Sequence, residues 1–413
     1  MKGFARYLDI LLKTKSFLSN DLISKILDSF FGKASQLIFT MVFSFVCARL
    51  YGAEVFGQYT YGFTLVSLLM FLAKAGMDNG LIYYIPKYGY KYVSFSFVAV
   101  TLLAILIITI ASFIVDEHYV RLMMPLVLFL SLEQMFFSVY RANGNIKKYY
   151  FINGFLSISI RIVLIVIFYL TFEGYQNVNS VIISLYVSFV IVTIVYFRNS
   201  RNTFSKVTYS KEFLLYSLPL FVSSVMGVVL DRIDIIMLGN MVSKKEVGIF
   251  QISVQIANIT SILLFIMNTV LAPKISELYH SGKLEDLKNI YIKSTRMLGI
   301  ISLFATIVLC LFRKYLLLIF GYEMINGQTA LVLRAIGQFI NAAVGSVWLV
   351  LSMTGKPKIQ MYANLFACIF NITLNMILIP IYGIDGAAFA SMISIGVVSV
   401  FGYVVVNRHF QVK

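Results

Sequence analysis

The chain of 413 residues is 60% hydrophobic and only 13% charged, with a mean hydropathy of +0.87, whereas soluble domains carry about 25% charged residues. Apolar runs of spanning length recur from end to end and leave no polar stretch in which an aqueous domain could fold. Their continuity points to helices rather than to the period-two alternation of a β-barrel. A formal net charge of +16 would suit nucleic acid, but the basic residues are spread over short loops, so no nucleic-acid partner is expected.

In chain order, residues 1–27 hold an apolar patch interrupted by Asp9, Lys13 and Lys15. It lacks the unbroken core of a signal peptide and reads as a cytoplasmic, interfacial amphipathic segment. Spans are predicted at 28–49, 59–85, 93–115, 120–141, 149–171 and 178–197, an N-terminal six-helix bundle over 28–197. Residues 198–212, rich in Ser, Asn and Lys, form a cytoplasmic linker. A C-terminal six-helix bundle over 213–407 follows, with spans at 213–239, 247–273, 294–312, 325–353, 360–381 and 385–407. Residues 408–413 are a cytoplasmic tail. The expected fold is an all-α integral membrane protein, with about twelve transmembrane helices in two parallel six-helix bundles around a central cavity.

With the N-terminus inside, 23 of the 34 Lys and Arg fall in inner segments, six in outer loops and five in spans. The acids divide evenly, seven inside and seven outside, so the bias lies in the basic residues and puts both termini in the cytoplasm. The chain also repeats itself weakly. Glu54-Val55-Phe56-Gly57 before span two is echoed by Glu246-Val247-Gly248 before span eight, and Gly144, Lys147 and Asn153 recur at the spacing of Gly355, Lys358 and Asn364. Six spans per half set both halves the same way up, related by an axis along the membrane normal.

Five bases, Lys33, Lys74, Arg161, Arg232 and Arg334, fall inside spans with four acids, Asp78, Glu133, Asp231 and Asp234. Each would cost about 2.5–3.5 kcal/mol facing lipid at a helix centre, so such residues face a wet cavity or one another. The cationic excess points to an anionic ligand, with Lys33, Lys74, Arg161 and Arg334 as the candidates to hold it. Arg161 leads, because no acid stands within one turn of it. Lys74 and Asp78, four apart, could instead neutralise each other. Asp231, Arg232 and Asp234 could form a local cluster that fixes span seven, and Lys33 and Arg334 could snorkel to the surfaces. Asp78, Glu133, Asp231, Arg232 and Asp234 are therefore candidates for coupling or structural charge.

Polar residues three or four apart put a wet face on several spans. Span eight carries Gln251, Gln255 and Asn258, span ten Gln338 and Asn341, and span eleven Asn364, Asn371 and Asn375. Gln255, Asn258, Gln338, Asn341 and Asn371 are expected to line the cavity, although amides also serve as contacts between helices. No phosphate-binding loop, zinc helix or nucleophile elbow stands in any loop. His118, His280 and His409 lack ligand spacing, and Cys47, Cys310 and Cys368 lie in apolar spans. Neither enzymatic activity, a metal centre nor a resident cofactor is expected.

The last eighth of the chain carries a more specific signal. Thr354-Gly355-Lys356-Pro357-Lys358, then Asn364, Asn371 and Asn375, then Ile379-Pro380-Ile381-Tyr382-Gly383-Ile384-Asp385-Gly386-Ala387-Ala388 resemble the C-terminal signature of polysaccharide-export flippases. Asp231-Arg232-Ile233-Asp234 leading to Leu238-Gly239 is similar to the start of their second half, and Leu50-Tyr51-Gly52 through Gly57-Gln58-Tyr59 to their first. The resemblance covers nearly the whole chain. It points to the multidrug/oligosaccharidyl-lipid/polysaccharide exporter superfamily and, within it, to Wzx-type O-antigen flippases.

What the resemblance implies is a V-shaped transporter of the bacterial inner membrane. It would move an undecaprenyl-diphosphate-linked oligosaccharide, an O-antigen or capsule repeat unit, to the outer leaflet by alternating access. The implied partners are that lipid-linked substrate, membrane lipids, and a polysaccharide polymerase or chain-length regulator, with the chain itself a monomer. The extra pair of spans of the fourteen-span peptidoglycan-precursor relatives is not found. A proton or Na⁺ held by Asp78, Glu133, Asp231 or Asp234 would couple the motion to an ion gradient. The alternative is a cation-coupled multidrug exporter of the same superfamily. Cationic drugs call for acids in the cavity, and five bases against four acids lean away from it.

Overall fold

The computed structural model describes residues 20–172 and 176–411, so most of the expected N-terminal interfacial segment lies outside the described residues. Helix α1 (Asn20–Lys74) contains Gly52 at φ +83°. A straight helix of that length would reach about 80 Å, against a hydrocarbon core of about 30 Å. The chain instead folds back at Gly52, and the rings of Phe43 and Tyr59 on either side of the corner meet at 5.3 Å. Glycine tolerates this positive φ because it has no Cβ.

The first half continues through α2 (Met77–Tyr88), α3 (Val93–Ile114), α4 (His118–Met123) and α5 (Leu126–Ala142). Next come α6 (Ile146–Tyr150), a π-helical segment (Phe151–Ser157), α7 (Ile158–Thr171) and α8 (Val178–Asn199). The second half comprises α9 (Lys211–Met241), α10 (Lys244–Ala257), α11 (Ile259–His280), α12 (Leu284–Phe320), α13 (Gln328–Ala343), α14 (Val347–Met353) and α15 (Pro357–Gln411). Ser210 and Ser243 cap α9 and α10 by accepting from the backbone N–H of Phe213 and Glu246, as side-chain oxygens do at helix starts. Helix α15 turns back at Gly383, φ +55°. Asn375 and Ser391, flanking that corner, both donate to one carboxylate of Asp234.

Among the described residues, seven helices are each long and apolar enough to cross a membrane, and the bent pair ending in α14 makes an eighth. Two of the seven, over 31–74 and 358–408, are double crossings folded at Gly52 and Gly383. Helix α9 and the pair α10–α11 supply the remaining two crossings, and the chain is an all-α membrane protein of twelve spans in two bundles.

The halves share a core at the end away from the linker. Phe43, Cys47, Ala53 and Phe56 pack there with Val247, Phe250, Phe320 and Met324. Gly57 and Gly248 bring the two backbones together, and a Cβ on either would collide with the other helix. Tyr61 donates to Asn240 at 2.5 Å, Lys244 pairs with Glu117 at 2.9 Å, and Ala53 N–H donates to Glu323 at 3.1 Å. Lys245, 2.5 Å away, and then the Ala53 N–H hold the Glu323 carboxyl below its usual range. Nearer the linker the halves touch along α2 and α9, where Tyr83 stacks on Tyr216 at 4.5 Å and Asn79 donates to Ser224.

Candidate functional site

A cavity of about 740 Å³ lies between the halves. Span one contributes Lys33 and Thr40, and α9 contributes Asp231, Arg232 and Asp234. Gln251, Gln255 and Asn258 line it from α10 and its C-terminus, and Arg334, Gln338 and Asn341 from α13. Trp348 of α14 and Asn364, Asn371, Ser391 and Ser394 of α15 complete the wall. Spacings of three, four and seven align these residues on single helix faces. Their periodicity was therefore visible in the sequence, whereas Trp348, Ser391 and Ser394 carried no signal there.

The polar wall is half satisfied. Gln338 donates to Asn258 at 3.0 Å, and Ser399 donates to Asn341 at 3.2 Å. The Oε1 atoms of Gln251 and Gln255 are buried without a hydrogen-bond partner among the described residues. Such acceptors are costly unless something donates to them, and sugar hydroxyls have that chemistry. The charges sort into two groups. Asp234 is buried, accepts from Asn375 at 2.6 Å and from Ser391, and lies 3.7 Å from the Arg334 guanidinium. Asp231 and Arg232 are exposed. Lys33 donates to Gln36 at 3.0 Å and lines the cavity from the half opposite Arg232.

Two candidates for the anion site stand elsewhere, which corrects the expectation that Lys74 and Arg161 line the cavity. Lys74 bonds Asp78 at 2.6 Å and lies over the Phe71 ring at 3.9 Å, both charges buried across the helix break at Ala75-Gly76. That is the mutual neutralisation their spacing allowed. Arg161 points into the first bundle, donating to Ser157 and Ser188 at 2.8 Å each with Phe189 under its guanidinium. Ser188 and Phe189 come from another span, so the sequence neighbours of Arg161 could not reveal them. Glu133 also lies off the cavity, accepting from Tyr149 and Asn153.

A family model described as polysaccharide biosynthesis protein matches residues 24–279, and a MatE model matches 219–377. The chain is 24% identical over 384 residues to the Staphylococcus aureus capsular polysaccharide biosynthesis protein CapF, covering 88% of this chain and 94% of CapF. It is 23% identical over 202 residues to the probable low-salt glycan biosynthesis flippase Agl15 of Haloferax volcanii, 49% of this chain and 41% of Agl15. An inward-facing multidrug resistance MATE family transporter of the MOP superfamily superposes with a TM-score of 0.73 at 14% identity, over 91% of this chain and 95% of that one.

Proposed function

The chain belongs to the polysaccharide biosynthesis protein family, whose model spans more than half of it, and from that premise we propose that this MOP-superfamily transporter flips an undecaprenyl-diphosphate-linked oligosaccharide. It would sit in the bacterial inner membrane with both termini cytoplasmic, and carry an O-antigen or capsule repeat unit outward by alternating access. The observation that carries the reading is that Lys33 and Arg232 line one cavity from opposite halves. Two cations on opposite halves of a solvated cavity can each bond a phosphate oxygen, so that a diphosphate between them would join the halves as a clamp. The free amide acceptors beside them suit the sugar, while the polyprenyl tail stays in lipid. Packing of the halves away from the linker supports an inward-facing state, ready to load from the cytoplasmic leaflet.

The test is surface polysaccharide in a strain that depends on this transporter. Lys33→Ala and Arg232→Ala are expected to abolish display at normal protein level in the membrane, with Arg232→Lys partly active. Full display by both Ala variants would sink the anion clamp. Drug resistance on overexpression, with no polysaccharide defect on deletion, would favour a multidrug exporter.

A further inference from the structure

Trp348 is the single tryptophan of the chain, and it stands in the same cavity wall as Lys33 and Arg232. It belongs to α14 and is half-buried. Small side chains make its seat. The indole packs against Ala363, Ala367 and Val398, which come from both arms of α15. An added Cβ on Gly402 would sit 3.0 Å from its Cζ2 and 3.2 Å from its Cη2, so glycine at 402 leaves its space to the six-membered ring. Among the described residues no hydrogen bond holds the Nε1–H, although a buried indole N–H ordinarily finds a partner. The ring is held by packing alone, and its polar atom is left for something in the cavity.

The neighbours of Trp348 place it close to the anion site. Leu230 packs against the same three residues of α15. Arg232 follows Leu230 by two positions on α9, a rise of about 3 Å along the helix. The indole and the guanidinium therefore spring from neighbouring levels of one wall. A sugar bonded directly to a diphosphate is the part of the ligand that comes to this level. One face of a pyranose presents only C–H bonds, whose positive hydrogens suit the negative face of an aromatic ring. An amine would also suit an indole face, but Lys33, Arg232 and Arg334 outnumber Asp231 and Asp234 in the wall. That balance favours a neutral ring carried on an anion. Gln251 and Gln255, with unpartnered Oε1 atoms, are acceptors for the hydroxyls at the edge of such a ring.

We propose that Trp348 is the stacking platform for the sugar attached directly to the diphosphate, and that it selects ligands presenting the C–H face of a neutral pyranose. The platform rests on the reading of the cavity given above. The cations hold the diphosphate whatever it carries, and Trp348 makes the first sugar count.

The experiment uses the full chain in lipid nanodiscs, with binding followed by calorimetry against empty nanodiscs. The probes are farnesyl diphosphate and the same lipid diphosphate bearing one N-acetylglucosamine. Trp348→Leu is expected to weaken the sugar-bearing probe at least about fivefold, the lower edge of stacking on an aromatic side chain, and farnesyl diphosphate less than about twofold. Trp348→Phe, which keeps an aromatic face, should retain most of the affinity for both, and Arg232→Ala should weaken both. Equal losses for the two probes in Trp348→Leu would make the indole a support of the wall and overturn the platform. A Trp348→Phe that falls as far as Trp348→Leu overturns the stacking as well. Unchanged binding of both probes by Trp348→Leu, with both weakened in Arg232→Ala, overturns the platform and leaves the anion site standing. A wild type that binds neither probe overturns the anion site and the platform with it.

Discussion

Replacing Arg334 by Met tests whether Asp234 depends on a charge partner or only on its neutral donors. The guanidinium lies 3.7 Å from the carboxylate, and the two side chains are 11% and 6% exposed. At that separation and an effective dielectric of about 20, the attraction is about 4.5 kcal/mol before either ion's desolvation is subtracted. Breaking a buried pair on one side costs about 3–5 kcal/mol, because the surviving charge is left uncompensated. Asn375 and Ser391 still donate to Asp234, so Arg334→Met is expected at the low end, about 3 kcal/mol. Asp234→Asn in the same chain removes the orphaned charge and should recover about 2 kcal/mol of that. The assay is equilibrium unfolding of wild type, both single variants and the double variant in mixed micelles, followed by Trp348 emission. Charge pairing predicts an interaction energy of at least about 2 kcal/mol, the recovery in the double variant plus whatever Asp234→Asn alone costs by leaving Arg334 unpaired. A value within about 0.5 kcal/mol of zero would mean that Arg334 is free for ligand and that Asp234 is held by Asn375 and Ser391 alone.

The Lys74–Asp78 pair invites the same logic without any link to the cavity. Lys74→Met alone should destabilise by about 3–5 kcal/mol and Lys74→Met with Asp78→Asn by much less, as read from the folded fraction after detergent extraction; equal losses would refute an ion-pair role. Glu323, in the 3₁₀-helical turn Tyr322–Gly327, has its carboxyl lowered from the ordinary 4.5 by Lys245 and by the Ala53 N–H. A depressed carboxyl contributes stability above its unfolded value and loses it as pH falls through the lower folded value. A disulfide engineered between positions 61 and 240, its yield read at each pH against a disulfide within one half to cancel the loss of thiolate in acid, should therefore form with unchanged relative yield from pH 7 to 5. That yield should drop in Glu323→Gln throughout the window, and an equal yield in Glu323→Gln would show that the contact does not hold the halves together.

Apolar length, the corners at Tyr51-Gly52 and Tyr382-Gly383, and amides at helical spacing are properties of the chain read locally. For that reason the sequence alone determined a twelve-span helical membrane protein in two halves, and the wet faces of the eighth, tenth and eleventh spans. The partners of a buried charge are decided by which spans pack together. Arg161, with no acid within a turn, looks like an open cation in sequence, yet Ser188 and Phe189 of the sixth span enclose it. Arg232, which the sequence places beside Asp231 and Asp234, lines the same cavity as Lys33 of the opposite half. Lys74 met the partner its spacing offered, because an i,i+4 pair is itself local. Periodicity fixes the face on which a side chain stands. What that face meets depends on the angle and register of helices up to hundreds of residues apart, and only the tertiary structure decided that Lys33 and Arg232 would line one cavity from opposite halves.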